Sequence, residues 1–383
     1  LSKPYVAGNE RRYVDEAIAS KKLAGDGTFT KRVAHMLEEE LPAQRVLLTT
    51  SCTSALELAA ILLGPGIGAT GGASTADARD EVIIPSFTFV STVNAFLLHG
   101  WKPVFCDVRL DTGNVDADAI APHITEKTRA IVVVHYAGAP ADMGPLTALA
   151  REHGIAVIED AAQAVYAKVD GKHAGTIGDL GAYSFHDTKN FVCGEGGALV
   201  VNRDDLVMRA EIVREKGTNR SQFLQGHVDK YTWVDVGGSF LPSEMLAAFL
   251  LGQLENEQAI SLKREVLYRH YLSALAPLEK RGVLALPVVP QNVETNHHLF
   301  HIVVENLDVR TRLMKHLNAQ GIGAAFHYPA LHLTPMGRTL HGQRGALPNA
   351  EALGERLLRL PLFCDMTVVD VDRVVEAVDA FYR

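Results

Sequence analysis

The chain has 383 residues, 47% of them apolar and 21% charged, with a formal net charge of -8. That length supports a substantial core and predicts two domains, while the acidic balance gives no electrostatic case for a nucleic acid or an anionic membrane as partner. Four scattered cysteines, Cys52, Cys106, Cys193 and Cys364, have no CxxC spacing, so neither a metal site nor a redox pair is indicated and reduced thiols are the default.

In chain order, Leu1 to Tyr5 lacks a basic-then-apolar signal pattern, and no apolar run is long enough to span a bilayer. This predicts a soluble, cytoplasmic protein. Residues 9–21 have helical spacing, with Tyr13, Val14 and Ile18 on one side. Gly25-Asp26-Gly27 breaks that pattern before a second helix over 30–40. The Gly-Asp-Gly loop reads as a turn or as a mobile binding loop, and nothing local decides between them. A short strand at Arg45–Leu48 runs through Thr49-Thr50-Ser51-Cys52-Thr53-Ser54 straight into a helix. Hydroxyl residues opening a helix are first of all an N-cap, and the free amides there also suit a phosphate. Residues 64–79 are rich in Gly, Ala, Ser and Thr, which predicts a flexible surface insertion. The GxGxxG at Gly66–Gly71 within it follows a helix rather than a strand and is not a dinucleotide fingerprint.

Strands are predicted at Val82–Ile84, Pro103–Val108, Ala130–His135, Ala156–Asp160, Gly181–Phe185 and Ala198–Val201, with helices near 88–98, 115–122 and 144–153. This alternation predicts a mostly parallel sheet covered by helices on both faces, with ligands at the carboxyl ends of the strands. Ser51–Ser54, Ser86–Phe89, Asp160–Gln163 and Ser184–Lys189 all fall at that edge. Lys189 comes five residues after the hydroxyl of Ser184, and Gly194-Glu195-Gly196-Gly197 turns the chain into the next strand. A lysine there is a candidate nucleophile toward an aldehyde; alone, it would read as a surface lysine. Asp160, ending another apolar strand, alters the balance. Pyridoxal phosphate (PLP) needs a lysine for its aldehyde and an acid for its pyridine nitrogen.

Beyond Val201 the pattern turns helical over Arg209–Glu215, followed by a polar loop from Lys216 to Phe223 and one long helix over Leu246–Leu262. The loop reads as a solvated connection or, through Lys216, Asn219 and Arg220, as a contact for a phosphate-bearing substrate. The expected division is a large PLP-binding domain over 1–258 and a smaller C-terminal domain over 259–383. The latter is read as a helix over 259–275, a strand at Leu299–Val304, a helix near 309–319, a strand or loop around Gly323–Tyr328, a loop over Arg338–Leu347 and a closing helix over 368–382.

The order of motifs resembles the DegT/DnrJ/StrS family of PLP-dependent sugar aminotransferases over nearly the whole chain. It is carried by Gly25-Asp26-Gly27, Ser51-Cys52-Thr53-Ser54-Ala55-Leu56, Pro85-Ser86-Phe87-Thr88-Phe89-Val90, Ile158-Glu159-Asp160-Ala161-Ala162-Gln163, Ser184-Phe185-His186-Asp187-Thr188-Lys189-Asn190 and His327-Tyr328-Pro329. The stretch Arg214–Phe223, with Asp229–Trp233, is similar to the group that makes dTDP-4-amino-4,6-dideoxygalactose.

The resemblance implies an α/β protein of PLP-dependent transferase fold type I (aspartate aminotransferase-like), with a large mostly parallel-sheet domain and a smaller C-terminal α+β domain. It also implies transfer of an amino group from L-glutamate to a dTDP-4-keto-6-deoxyhexose, in a homodimer with shared active sites. Lys189 would hold PLP and move the proton, Asp160 would face the pyridine nitrogen, Gln163 the ring hydroxyl and Phe89 the ring face. Ser184 and the amides of Cys52 and Thr53 would hold the phosphate. Ser239 stands where many members have an asparagine that reaches across the dimer to that phosphate, and Cys52 where many have glycine. Arg220, His327 and Tyr328 would meet the sugar nucleotide, although single histidines such as His186 and His327 are more often structural. A branch with histidine in place of the lysine dehydrates its sugars, and Lys189 argues against it. A 3-keto sugar as acceptor, a PLP-dependent dehydratase and a non-catalytic regulator are the alternatives.

Overall fold

Short apolar runs bounded by turns form the central strands of the chain, whose computed structural model describes residues 1–6, 8–64, 79–224, 226–342 and 345–383. The insertion read at 64–79, with its GxGxxG, lies outside the described residues except at its two ends. Seven strands, β1 (Arg45–Thr49), β2 (Glu81–Pro85), β3 (Lys102–Cys106), β4 (Thr128–Val134), β5 (Ala156–Asp160), β6 (Leu180–Ser184) and β7 (Gly197–Val201), make one sheet. Their order is β1-β7-β6-β5-β4-β2-β3. Only β7 runs against the rest, antiparallel to both β6 and β1. Every residue of β6 and β7 is buried, as a sheet covered on both faces requires.

One face packs against α3 (Cys52–Leu63) and α4 (Val90–Leu97). The other packs against α1 (Glu10–Ala19), α2 (Thr28–Glu40) and the helix Glu244–Leu254. A second antiparallel sheet joins β8 (Leu284–Ala285), β9 (Phe300–Val304) and β10 (Leu357–Leu360) in that order. With the helices Glu257–Lys280, Leu307–Ala319 and Val368–Phe381 it forms a third core of its own. The C-terminal part also folds back over the main sheet. Ala330, Leu331, Leu347 and Leu353 join the first core, and the Leu331 amide donates to the Ser86 carbonyl at 2.9 Å.

Several expected elements differ. Ile18 is exposed, and the buried side of α1 uses Tyr13 and Ala17 instead. The helix expected over Leu246–Leu262 breaks after Leu254, because the Asn256 side chain donates to the Gly252 carbonyl at 2.8 Å and so competes with the helical ladder. The polar loop 216–223 contains the short helix Arg220–Leu224. The loop expected over Arg338–Leu347 instead opens within the helix Pro335–His341. There Thr334 caps the Gly337 amide and proline sits at the first position. At Gly323–Tyr328 the loop, of the two expected forms, is what is found, tied to Arg359 by a bridge at Ala325.

Candidate active site

The strand ends build the site from the backbone upward. After β6 the chain turns through a tight loop, with the Phe185 amide on the Gly196 carbonyl at 2.8 Å and the Asp187 amide on the Gly194 carbonyl at 3.1 Å. Gly194 needs its positive φ of 89° for this return. A Cβ on Gly197 would collide with the backbone of Ser51 and Cys52, so β7 lies directly against the start of α3. The loop delivers Lys189 into a cavity of about 560 Å³. Lys189 keeps part of its surface open to that cavity, yet the protein around it removes enough water to hold its ammonium below the ordinary lysine value. Nearby Cys52 and Asp160 oppose that shift.

Asp160 ends β5 on the same cavity. Its Oδ2 accepts the Thr92 hydroxyl at 2.7 Å and its Oδ1 accepts the Ala162 amide at 3.2 Å. Thr92 spends its proton on Asp160, so Thr88, 2.9 Å away, donates to Thr92. The neighbouring Glu159 points away from the cavity. It accepts the amides of Gly175, Ile177 and Gly178 at 2.6–2.8 Å and lies 2.8 Å from His135 Nε2. Successive strand residues face opposite sides, and of the two carboxylates only Asp160 serves the cavity.

Across from Asp160, α3 begins with Ser51 accepting the Ser54 amide at 3.0 Å, and Cys52 and Thr53 line the cavity beside it. The Cys52 thiol lies 4.0 Å from Asp160 Oδ1, and burial pushes its pKa up. Ser184 also lines the cavity, its Oγ 3.4 Å from the His186 amide. Gln163 accepts the Ala137 amide at 2.8 Å and donates to the Tyr328 hydroxyl at 2.9 Å. Phe89 is 54% exposed, with its ring on the cavity wall and 6.0 Å from that of Tyr328. His327 stacks on Tyr328 at 3.6 Å, and Tyr136 meets its Nδ1 at 2.8 Å. Burial, aided by Arg359 and Lys189, drives the His327 pKa well down, so its ring is neutral.

Lys189, Asp160, Cys52, Thr53, Phe89, Gln163, Ser184, His327 and Tyr328 therefore share one cavity. Arg220 and Ser239 do not line it: Arg220 pairs with Glu215 at 2.5 Å, and exposed Ser239 bridges the Glu215 backbone. Ser86, at the expected edge, is buried and 2.7 Å from His332 Nδ1. Sequence reasoning missed Thr92, His298 and Arg359, which also line the cavity. Thr92 lies in the first turn of α4 and Thr88 just before its N-cap, a short hydroxyl cluster at a helix start that was a usable signal for the first. His298 and Arg359 carried none. Among the described residues, no group of three or more His, Cys, Asp or Glu could hold a metal ion, and no helix is long and apolar enough to cross a membrane.

The residues fit PLP. A poorly hydrated lysine amine, a buried carboxylate at the end of β5, and first-turn amides beside a capped helix start surround one cavity of suitable size. Fold and site thus suit an enzyme that uses a phosphorylated aldehyde cofactor. The DegT/DnrJ/EryC1/StrS aminotransferase family model matches residues 4–379, and the chain belongs to that family of PLP-dependent enzymes. It is 32% identical over 361 residues to the uncharacterized protein MJ1066 of Methanocaldococcus jannaschii, covering 92% of this chain and 89% of that one. Among solved structures it resembles the aminotransferase TlmJ from Streptoalloteichus hindustanus, with 30% identity, a TM-score of 0.88 and 99% and 97% of the two chains covered. It also resembles Helicobacter pylori PseC, an aminotransferase involved in pseudoaminic acid biosynthesis, with 25% identity, a TM-score of 0.89 and 100% and 98% covered.

Proposed function

We propose that this PLP-dependent sugar aminotransferase moves the amino group of L-glutamate to the ketone of a dTDP-4-keto-6-deoxyhexose. The products are 2-oxoglutarate and a dTDP-4-amino-4,6-dideoxyhexose. The observation that carries the chemistry is Lys189 and Asp160 meeting in one cavity at the ends of adjacent strands. The choice of sugar is supported by the likeness of Arg214–Phe223 and Asp229–Trp233 to enzymes that make such products.

Bound PLP supplies an electron sink that stabilises negative charge at the carbon losing its proton. Lys189 holds the cofactor and then, once free, takes and returns that proton at its Nζ. Its depressed pKa keeps a larger share of neutral amine at working pH. Asp160, held by Thr92 and the Ala162 amide, would face the pyridine nitrogen, where a carboxylate favours the protonated ring. Gln163 presents its amide to the ring hydroxyl, and Phe89 covers a ring face. Ser184 and the amides of Cys52 and Thr53 take the phosphate. His327 and Tyr328 contact the sugar.

Arg220 and Ser239 act in the neighbouring subunit of a cytoplasmic homodimer, where the loops near Gly25 and Lys216 complete the partner's cavity. The division into domains at 258/259 is part of the same reading. The test is stoichiometry. One 2-oxoglutarate per aminated sugar supports transamination, and sugar dehydration without 2-oxoglutarate refutes it.

A further inference from the structure

The two buried carboxylates that end β5 are held unequally. Glu159 accepts three amides and faces His135. Asp160 has the Ala162 amide on Oδ1 at 3.2 Å and the Thr92 hydroxyl on Oδ2 at 2.7 Å, with the Cys52 thiol standing 4.0 Å off. Ala162 belongs to the turn that follows β5 and fixes one oxygen only. The second oxygen, and with it the plane of the carboxylate, depends on Thr92. A threonine in a helix has a competing use for its hydroxyl, which can bond back to a carbonyl three or four residues earlier. For Thr92 those carbonyls belong to Phe89 and Thr88, and its hydroxyl bonds to neither. The Phe89 carbonyl takes the Thr92 amide instead, at 3.1 Å. Beside the Thr92 hydroxyl stands that of Thr88, 2.9 Å away, from the residue before the N-cap of α4. Both side chains are buried. The single Thr92 proton goes to Asp160, so Thr88 donates and Thr92 accepts. A bond accepted by the oxygen strengthens the one that its proton makes.

We infer that Thr88 is a positioning residue that acts on Asp160 through Thr92: its hydroxyl keeps the Thr92 proton aimed at Oδ2 and so holds the plane of the carboxylate. The inference rests on the reading in which this cavity takes PLP with Asp160 at the pyridine nitrogen. Thr88 also lines the cavity, so an effect through Thr92 has to be separated from a direct contact with the cofactor.

The test is a double-mutant cycle on the PLP affinity of the full-length protein, read by equilibrium dialysis. Thr92→Val is expected to weaken PLP binding roughly tenfold, the size of one hydrogen bond to a charged group, and Thr88→Val about fivefold, the size of one between neutral groups. Within Thr92→Val, adding Thr88→Val is expected to change nothing further, because the route to Asp160 is already cut. Thr88→Ser keeps the hydroxyl and is expected to bind PLP as wild type does, which a packing role for the threonine methyl would not allow. Thr88→Ala enters the same cycle if the valine variant does not fold. A Thr88→Val loss that persists in full within Thr92→Val, or no loss at all, overturns the inference. A wild type that does not retain PLP overturns instead the assignment of the cavity to that cofactor.

Discussion

The two walls of the cavity are built in different ways. The floor comes from the main sheet and its helix starts: Lys189, Asp160, Cys52, Thr53, Ser184 and Thr92 all lie at or just beyond strand ends or on the first turns of α3 and α4. The far wall comes from the C-terminal part, with His298, His327 and Tyr328 in irregular backbone and Arg359 on β10. On the floor a strand end fixes where each side chain points, so chemistry is tied to short motifs. On the wall, packing brings together residues more than a hundred positions from Lys189. The floor is expected to set whether a reaction occurs, and the wall how well a substrate is held.

Substitutions can break or sharpen this division. Lys189→Ala is expected to cost roughly 10⁴-fold or more in turnover, the scale for removing a residue that forms a covalent link, and to leave no yellow absorbance with PLP. Asp160→Ala should lower kcat by roughly 10²–10³-fold, as removal of a preorganised electrostatic partner does, with reduced PLP affinity in equilibrium dialysis. Thr92→Val removes one hydrogen bond to that carboxylate, so a loss of about tenfold in kcat is expected. On the wall, Tyr328→Phe removes the hydroxyl proposed to meet the sugar and should raise the sugar KM by about fivefold, with kcat nearly unchanged. A kcat collapse in Tyr328→Phe as deep as that of Asp160→Ala would break the comparison.

The smallest expected effect concerns stability. Burial pushes His297 and His301 down to about 4, whereas in an unfolded chain they titrate near 6.5. Below pH 6.5 the unfolded chain binds protons that the folded chain refuses. Their contribution is therefore full above pH 6.5 and is lost as pH falls toward 4. The melting temperature should drop across that window. His301→Phe, which also removes a buried Nδ1 without a hydrogen-bond partner, should flatten the drop.

The same division explains what the sequence revealed. The main-sheet strands were legible because each is a short apolar run closed by a turn, and β5 matches its expected span of Ala156–Asp160. Asp160 was legible because a carboxylate closing such a run has few structural uses, and Lys189, five residues past the end of β6, became legible only beside it. Arg359 lies in Leu357–Leu360, where nothing local separates a cavity cation from a surface one. His298 was opaque for a different reason. Its place on the cavity wall depends on the amide of Asn190, itself held by the carbonyl of Asn296, a hydrogen-bond relation that residue spacing does not encode. The helix Pro335–His341 did carry a signal, since Thr334-Pro335 is a helix start that the surrounding glycines obscured.

The central claim is that one lysine in this cavity serves both halves of an amino-group transfer. The most direct measurement is the visible spectrum of the PLP-loaded protein, first alone, then with L-glutamate, then with dTDP-4-keto-6-deoxyglucose. The account predicts a yellow band that glutamate bleaches and the keto sugar restores, in wild type and not in Lys189→Ala. A yellow band that neither compound alters would contradict it.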